Sequence, residues 1–314
     1  MINSKQQTAH QYLLHKGFKP ADTENHETIK KFNADNMLYE LTACLTVTWH
    51  EEMQTLYNII DGFLCLANFY PDGTVSWFIV RPAGKKQFLQ HIVDALYIIS
   101  IDAGLESLHI WGIEERFLGE YRHIKGYRME TGYSDAMSEY VYSADSLLDL
   151  RGSANEEKRR QLRKFINKSN ITLLPITKEN VGICIDIENQ WCNSQDCSLC
   201  RSFAGCSKNT LEIMACLFDD SVYKGVLGYI DGVPAGYSIF ENVNEDISYF
   251  YFVKTTVSNF SVYLYYTCVQ HYMHNAVKIN LGADLGIQGL RLFKKRLGMY
   301  ELQKKYICVF TKEG

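Results

Sequence analysis

Proline is scarce, with 5 residues in 314, and 21 glycines are too few for a collagen-like or linker-dominated architecture. Long apolar runs are missing: the stretch Ala95 to Ile99 falls far short of the ~20 residues that carry a helix across a bilayer. The opening MINSKQQTAHQYLLHKGFKP has no apolar core of signal-peptide length. A cytoplasmic protein is therefore expected, and reducing cytosol predicts thiols rather than disulfides. No Gly-x-Ser-x-Gly elbow, His-Glu-x-x-His pair, Walker loop or dinucleotide fingerprint occurs. Excess positive charge is also missing. At a net −4, no global field draws the chain to nucleic acid or anionic membrane, so any polyanion site must be a local patch.

What is present describes a globular chain. Hydrophobic residues make up 46%, charged residues 22% and aromatics 13%, which excludes a disordered tail protein. The length suits two domains. Residues 1 to about 58 read as mostly helical. Tyr57–Ile60, Phe63–Phe69 and Val75–Val80 then read as strands, joined by Asp61-Gly62 and Pro71-Asp72-Gly73. Glycine supplies the positive φ that such tight turns need. An amphipathic helix from about Lys85 to Ala103 and a strand at Ser107–Trp111 follow.

The second half repeats this order. Strands are expected at Tyr223–Tyr229, Ala235–Glu241 and Ile247–Val253, with the turn Asp231-Gly232. A helix at about Ser261–His274, a strand at Val277–Leu281, a helix at about Gln288–Leu297 and a strand at Lys304–Phe310 complete it. Antiparallel meander, helix, strand, helix, strand is the order of an N-acetyltransferase-type domain. Its recurrence predicts an α+β chain of two tandem GNAT-like (acyl-CoA N-acyltransferase-like) domains, 1–150 and 151–314. Each would be a mainly antiparallel sheet flanked by helices.

Between the halves, Ser153 and Glu156 form the spacing of a capping box. The helix that follows carries Lys158, Arg159, Arg160, Arg163 and Lys164. From Arg151 to Lys168, seven basic and two acidic residues give a net +5. Such a run is either a solvated helix face or a phosphate-binding patch.

Leu150-x-Gly152 with Lys158-Arg159 and Phe165, together with Ile279-Asn280-Leu281-Gly282-Ala283-Asp284 and Gly289-Leu290-Arg291-Leu292-Phe293-Lys294, resembles the phosphatidylglycerol lysyltransferase C-terminal family. The last hexad is similar to the Gly-Leu-x-x-Phe-Lys helix shared with Fem-type peptidoglycan aminoacyltransferases. Trp49 to Leu66 and Pro82-Ala83-Gly84 also fit. The resemblance implies transfer of an aminoacyl group from aminoacyl-tRNA to an amine or hydroxyl on a lipid, peptide or small molecule, with no separate cofactor. It also implies a role for Lys294 on a substrate phosphate or the developing oxyanion.

The residues suit that chemistry. Aminoacyl transfer attacks an ester that is already activated, so the protein must position two substrates, stabilise an oxyanion and accept a proton. Arg291 and Lys294 share a helix face at i, i+3, and Lys295 extends the cluster. Lys294 has an alternative role in offsetting the helix dipole. Asp284 sits at a strand's end as a catalytic candidate or a helix cap. Tyr251 could shuttle a proton, or could be core. Lys158, Arg159 and Arg163 are the phosphate-binding candidates of the basic helix, if its charged face is not simply solvated. Acyl-CoA is the alternative donor. Its Arg/Gln-x-x-Gly-x-Gly/Ala loop is absent from Thr255–Phe260 and half matched by Arg81-Pro82-Ala83-Gly84-Lys85-Lys86, making Arg81 and Gly84 phosphate candidates. A third possibility is a catalytically silent module that binds tRNA or a phosphorylated ligand.

Cys192, Cys197, Cys200, Cys206 and Cys216 contain one Cys-x-x-Cys pair, whereas a zinc ribbon needs two. Structural thiols and no metal are the expectation. Elemental analysis of the purified protein should give well under one zinc or iron per chain. Stoichiometric metal that disappears on replacing Cys197 or Cys200 is the contrary result.

Overall fold

The computed structural model describes residues 3–33, 38–70, 72–82, 89–150, 155–167, 170–193, 207–217, 223–244, 246–273, 275–298 and 301–314. Its strands are β1 (Lys19–Pro20), β2 (Leu56–Ile60), β3 (Phe63–Phe69), β4 (Val75–Val80), β5 (Leu108–Glu114), β6 (Tyr127–Tyr133), β7 (Glu139–Ser143) and β8 (Ile171–Pro175). They continue as β9 (Tyr223–Ile230), β10 (Val233–Asn242), β11 (Ile247–Thr255), β12 (Lys278–Ala283), β13 (Glu301–Gln303) and β14 (Lys305–Lys312). Two seven-stranded sheets result, ordered β1-β2-β3-β4-β5-β14-β6 and β8-β9-β10-β11-β12-β7-β13. The chain divides into compact units of Met1–Ser138 with Gln303–Gly314, and Glu139–Leu302.

The repeated order has a physical basis in each half. Asp61-Gly62 and Asp231-Gly232 both adopt positive φ, at 49° and 84° and at 51° and 81°. Two consecutive left-handed residues match the right-handed twist of the strands they join. Each meander then feeds a helix, Leu89–Asp102 or Phe260–Tyr272, that crosses to a parallel strand. The helices pack apolar faces on the sheets. Leu89, Ile92, Val93 and Leu96 join Trp77, Ile110 and Phe310 in the first core, while Cys268 and Val269 join Phe240, Phe250 and Ile279 in the second.

The division at 150/151 requires correction. β7 ends the first run of elements but pairs antiparallel with β12, and β14 ends the second run but pairs with β5 and β6. Each half thus gives its last strand to the other half's sheet, at the same position in the strand order. Local alternation marks β7 and β14 as strands but says nothing of their partners.

Phe310 is fully buried in the first core although only four residues follow it. Phe310→Ala should cost about 3–5 kcal/mol. Hydrogen exchange should locate the loss in β2–β6, with protection of β9–β12 unchanged; the reverse pattern would disprove the exchange of strands.

Candidate functional site

The second sheet opens at its parallel pair. β11 and β12 are paired only at Ile247–Lys278, Ser248–Ile279 and Tyr249–Asn280, after which both strands continue apart. On the β11 side the ladder to β10 pairs Phe240 with Phe250 and Ile239 with Phe252, skipping Tyr251. Tyr251 is the extra residue of a β-bulge, a device that re-aims side chains. Its ring stacks on Tyr249 with the planes 8° apart, and its hydroxyl donates to Glu241 Oε2. Both Glu241 and Tyr251 are buried. The alternation of Tyr249 and Tyr251 against Phe250 and Phe252 that the sequence suggests is broken here.

Across the opening, β12 runs into Gly282-Ala283-Asp284-Leu285-Gly286, with positive φ at Gly282, Leu285 and Gly286. Asp284 is fully buried and is not the helix cap: the residue before the Gln288–Arg296 helix is Ile287, whose side chain makes no capping bond. Asp284 Oδ1 instead accepts from the Gly286 N–H at 2.8 Å and Arg291 Nη2 at 3.1 Å. Its Oδ2 accepts from Arg291 Nε at 2.8 Å and the Tyr140 hydroxyl at 2.7 Å. Burial pushes this carboxyl up, but the bonds from Arg291, Tyr140 and Gly286 outweigh it and hold the acid below its ordinary 3.8. Burial and the Asp284 charge push the Tyr140 phenol up to about 12, so it stays a donor.

Lys294 stands in the last turn of the Gln288–Arg296 helix, and its ammonium reaches the end of β12. Buried at 4% exposure, its ammonium donates to the carbonyls of Leu281, Gly282 and Ala283 at 2.6, 3.0 and 2.7 Å. It lies 5.6 Å from the centre of the Tyr140 ring. Tyr142 donates to the Lys294 carbonyl at 2.7 Å, while on the other face of β7 Glu139 accepts from Asn280 at 2.6 Å. The structure therefore brings Asp284, Arg291 and Lys294 together, and the transferred strand β7 completes their surroundings. Tyr251 belongs to the β11 side of the opening.

The remaining candidates are more dispersed. Lys295 is exposed in the last turn of its helix. Lys158 donates to Asn155 Oδ1, Arg159 to the Leu150 carbonyl and Arg163 to the Arg159 carbonyl, on a helix spanning Glu156–Ile166. Ser153 lies outside the described residues, and the helix starts after Asn155 without a side-chain cap. Arg81 is engaged by Glu120 at 2.8 Å and stacks on Phe117, while Gly84 lies outside the described residues. Cys197, Cys200 and Cys206 also lie outside them. Among the described residues no cluster of three metal-ligating side chains occurs, and no helix is long and apolar enough to cross a membrane.

Residues 39–309 match the family described as phosphatidylglycerol lysyltransferase, C-terminal. The chain belongs to that family. The expected resemblance, the tandem fold and an acyltransferase of this type follow from it. A conserved protein of unknown function from Bacteroides thetaiotaomicron superposes with a TM-score of 0.83 at 19% identity, covering 94% of this chain and 99% of that one. L-PGS from Bacillus licheniformis gives 0.65 at 13% identity, with 94% of each chain covered. FemX gives 0.64 at 12% identity, with 90% and 95% covered. These likenesses carry the fold. No curated protein matches the sequence.

Sequence reasoning missed Tyr140, Glu139 and Glu241. Alternating tyrosines in Glu139-Tyr140-Val141-Tyr142 mark a strand with one polar-tipped face, and that signal was available. Asp284→Asn should destabilise the protein by about 1–3 kcal/mol, because Arg291 and Tyr140 lose a charged acceptor. The folded acid lies below its unfolded value, so this contribution is complete above the unfolded 3.8 and disappears as pH falls through the folded value. Denaturation of both proteins along a pH series should show their stabilities converging in acid. A constant difference at all pH values would contradict the charged role.

Proposed function

We propose that the chain is an aminoacyltransferase that takes its aminoacyl group from aminoacyl-tRNA and delivers it to an amine or hydroxyl acceptor at the β11–β12 opening. The observation that carries this reading over an acyl-CoA donor is the helix start at Phe260. A pyrophosphate there needs bare backbone amides and room. In this chain Thr256 N–H donates to the Ala235 carbonyl and Phe260 N–H to the Val257 carbonyl. The Phe260 ring fills the space over Gly228 and Gly236, where an added Cβ would lie 2.5 and 3.1 Å from it. An aminoacyl ester needs no such cradle.

The roles then follow from position. Lys294 brings a buried positive charge to the β12 side, where the ester carbonyl would develop negative charge. Asp284 holds Arg291, which with Lys295 contacts the tRNA end. Lys158, Arg159 and Arg163 track phosphates further along. Tyr251, bonded to Glu241, relays the nucleophile's proton. The placement of chemistry in the second unit is supported by its buried charge. Among the described residues Glu139, Glu188, Glu241 and Asp284 are all 1% exposed or less, and all lie in that unit. Buried carboxylates cost stability and collect where function requires them.

The test is transfer of a radiolabelled aminoacyl group from tRNA to extractable lipid, peptide and small-amine acceptors, with tRNA binding measured over a salt series. Binding should weaken steeply with salt, and Arg159→Ala with Arg163→Ala should flatten the slope by about one unit for each phosphate the protein no longer neutralises. Lys294→Met should lower kcat by about 10²–10³ with tRNA affinity unchanged, in protein whose melting confirms a folded state. Absence of tRNA binding at low salt, with acyl transfer from an acyl-CoA, would replace this reading with the acyl-CoA one.

A further inference from the structure

The bulge at Tyr251 has a second effect on the same sheet face. By shifting the phase of alternation, it places Lys254 on the side that carries Tyr249, Tyr251 and Glu241. Lys254 is paired in register with Tyr237 on β10, and the helix Val181–Asn193 covers both. That helix contributes Glu188, Trp191 and Cys192. Glu188 is fully buried. Its Oε2 accepts from the Tyr237 hydroxyl at 2.5 Å, while Oε1 lies 3.7 Å from Lys254 Nζ and 3.6 Å from Cys192 Sγ. Lys254 Nζ stands 3.2 Å above the centre of the Trp191 ring.

An aromatic face and a buried carboxylate converging on one ammonium is the recognition chemistry of a primary amine. The cation in place is the chain's own. Its hold differs from that of Lys294. The carboxylate lies beyond hydrogen-bond distance and the ring supplies no directed bond, whereas three carbonyls at 3.0 Å or less fix Lys294. Glu188 keeps its 2.5 Å bond to Tyr237 independently of Lys254. Burial and the Glu188 charge raise the Tyr237 phenol well above 10, so that bond remains a donated one. Glu188 and Tyr237 are thus built into the core, whereas Trp191 and Lys254 are half-buried.

We propose that Glu188, Tyr237 and Trp191 form an ammonium-binding subsite of the transfer site, occupied by Lys254 when substrate is absent and yielded to a substrate's primary ammonium group. The identity of that substrate rests on the aminoacyl-transfer reading, and the subsite does not. Two sources share the chemistry: the α-ammonium of the aminoacyl ester, and the amine of an acceptor.

Binding of small ammonium probes to the full chain separates these outcomes. Glycine methyl ester represents the donor and n-butylamine the acceptor, both at slightly acidic pH where they are protonated. Indole resonances in ¹H–¹⁵N spectra are assigned by Trp191→Phe. Lys254→Met keeps the length of the side chain and removes its charge. It should tighten binding of at least one probe by about tenfold, with the Trp191 indole signal shifting on titration. Glu188→Gln, added to Lys254→Met, should abolish that gain while keeping an acceptor for Tyr237. Thermal melts establish that both variants fold; if the double variant does not, Trp191→Leu with Lys254→Met is expected to lose the same gain. A preference for the ester assigns the donor, and a preference for butylamine assigns the acceptor. The proposal is overturned if neither probe binds Lys254→Met more tightly than wild type, or if the gain survives the loss of Glu188 or Trp191. Neither result depends on tRNA, so aminoacyl transfer can fail while the subsite stands, and the reverse.

Discussion

The parting of β11 from β12 after Tyr249 and Asn280 is the constraint on which the site depends. Opening a sheet at its centre removes backbone partners from interior strands, and a buried carbonyl without a partner is costly. On the β12 side the cost is met by a side chain: the Lys294 ammonium donates to three successive carbonyls from Leu281 to Ala283. This requires a helix that returns over the strand end, and the Gln288–Arg296 helix does so because Gly282, Leu285 and Gly286 turn the chain with positive φ. Asp284 closes the turn through its own oxygen and ties it to Arg291. The hexad around Lys294 is thus both the means by which the sheet stays open and the source of charge at the opening.

The two units solve the same topology with different interiors. In the first, β4 and β5 are paired only at Trp77 and Ile110, so its sheet also parts, but both residues are apolar and fully buried in the core. In the second, the corresponding opening is bordered by tyrosines, glutamates and a lysine. Each half's last strand completes the other half's sheet, so the polar site of the second unit includes Glu139, Tyr140 and Tyr142 from the end of the first half. Loss of that strand would leave Asn280 and Asp284 without those partners.

Much of this order was legible in the sequence. The Asp-Gly turns predicted both meanders because glycine's freedom at positive φ is a local property, and nearly every strand placed by them is present within a residue or two. The cluster of Asp284, Arg291 and Lys294 was legible because strand end and helix face are also local. Its inner contacts were not. Asp284 resembles a helix cap in sequence, and only the folded chain shows it paired with Arg291 and bonded by Tyr140, 144 positions earlier. The exchange of β7 and β14 was hidden because alternation specifies a strand without specifying a sheet. The bulge was hidden because Tyr249-Phe250-Tyr251-Phe252 looks like regular alternation, and only the register with β10 shows that Tyr251 is skipped.

That skipped residue also explains why the β11 side of the opening differs in character from the β12 side. Without the bulge, Lys254 would share a face with Phe250, against the apolar helix Phe260–Tyr272, where Phe250 meets Tyr265 at 4.7 Å between ring centres. An ammonium there would be a buried charge among rings with no carboxylate. With the bulge it faces Glu188 and Trp191. One inserted residue therefore converts a sheet face that could only pack into one that can bind. The two lysines of this unit accordingly have different physical roles: three short bonds to backbone carbonyls fix Lys294, whereas Lys254 rests on a ring and a carboxylate that another ammonium can equally satisfy. A transfer site needs both kinds of group, one that holds charge still while the ester reacts and one that gives way as substrate arrives.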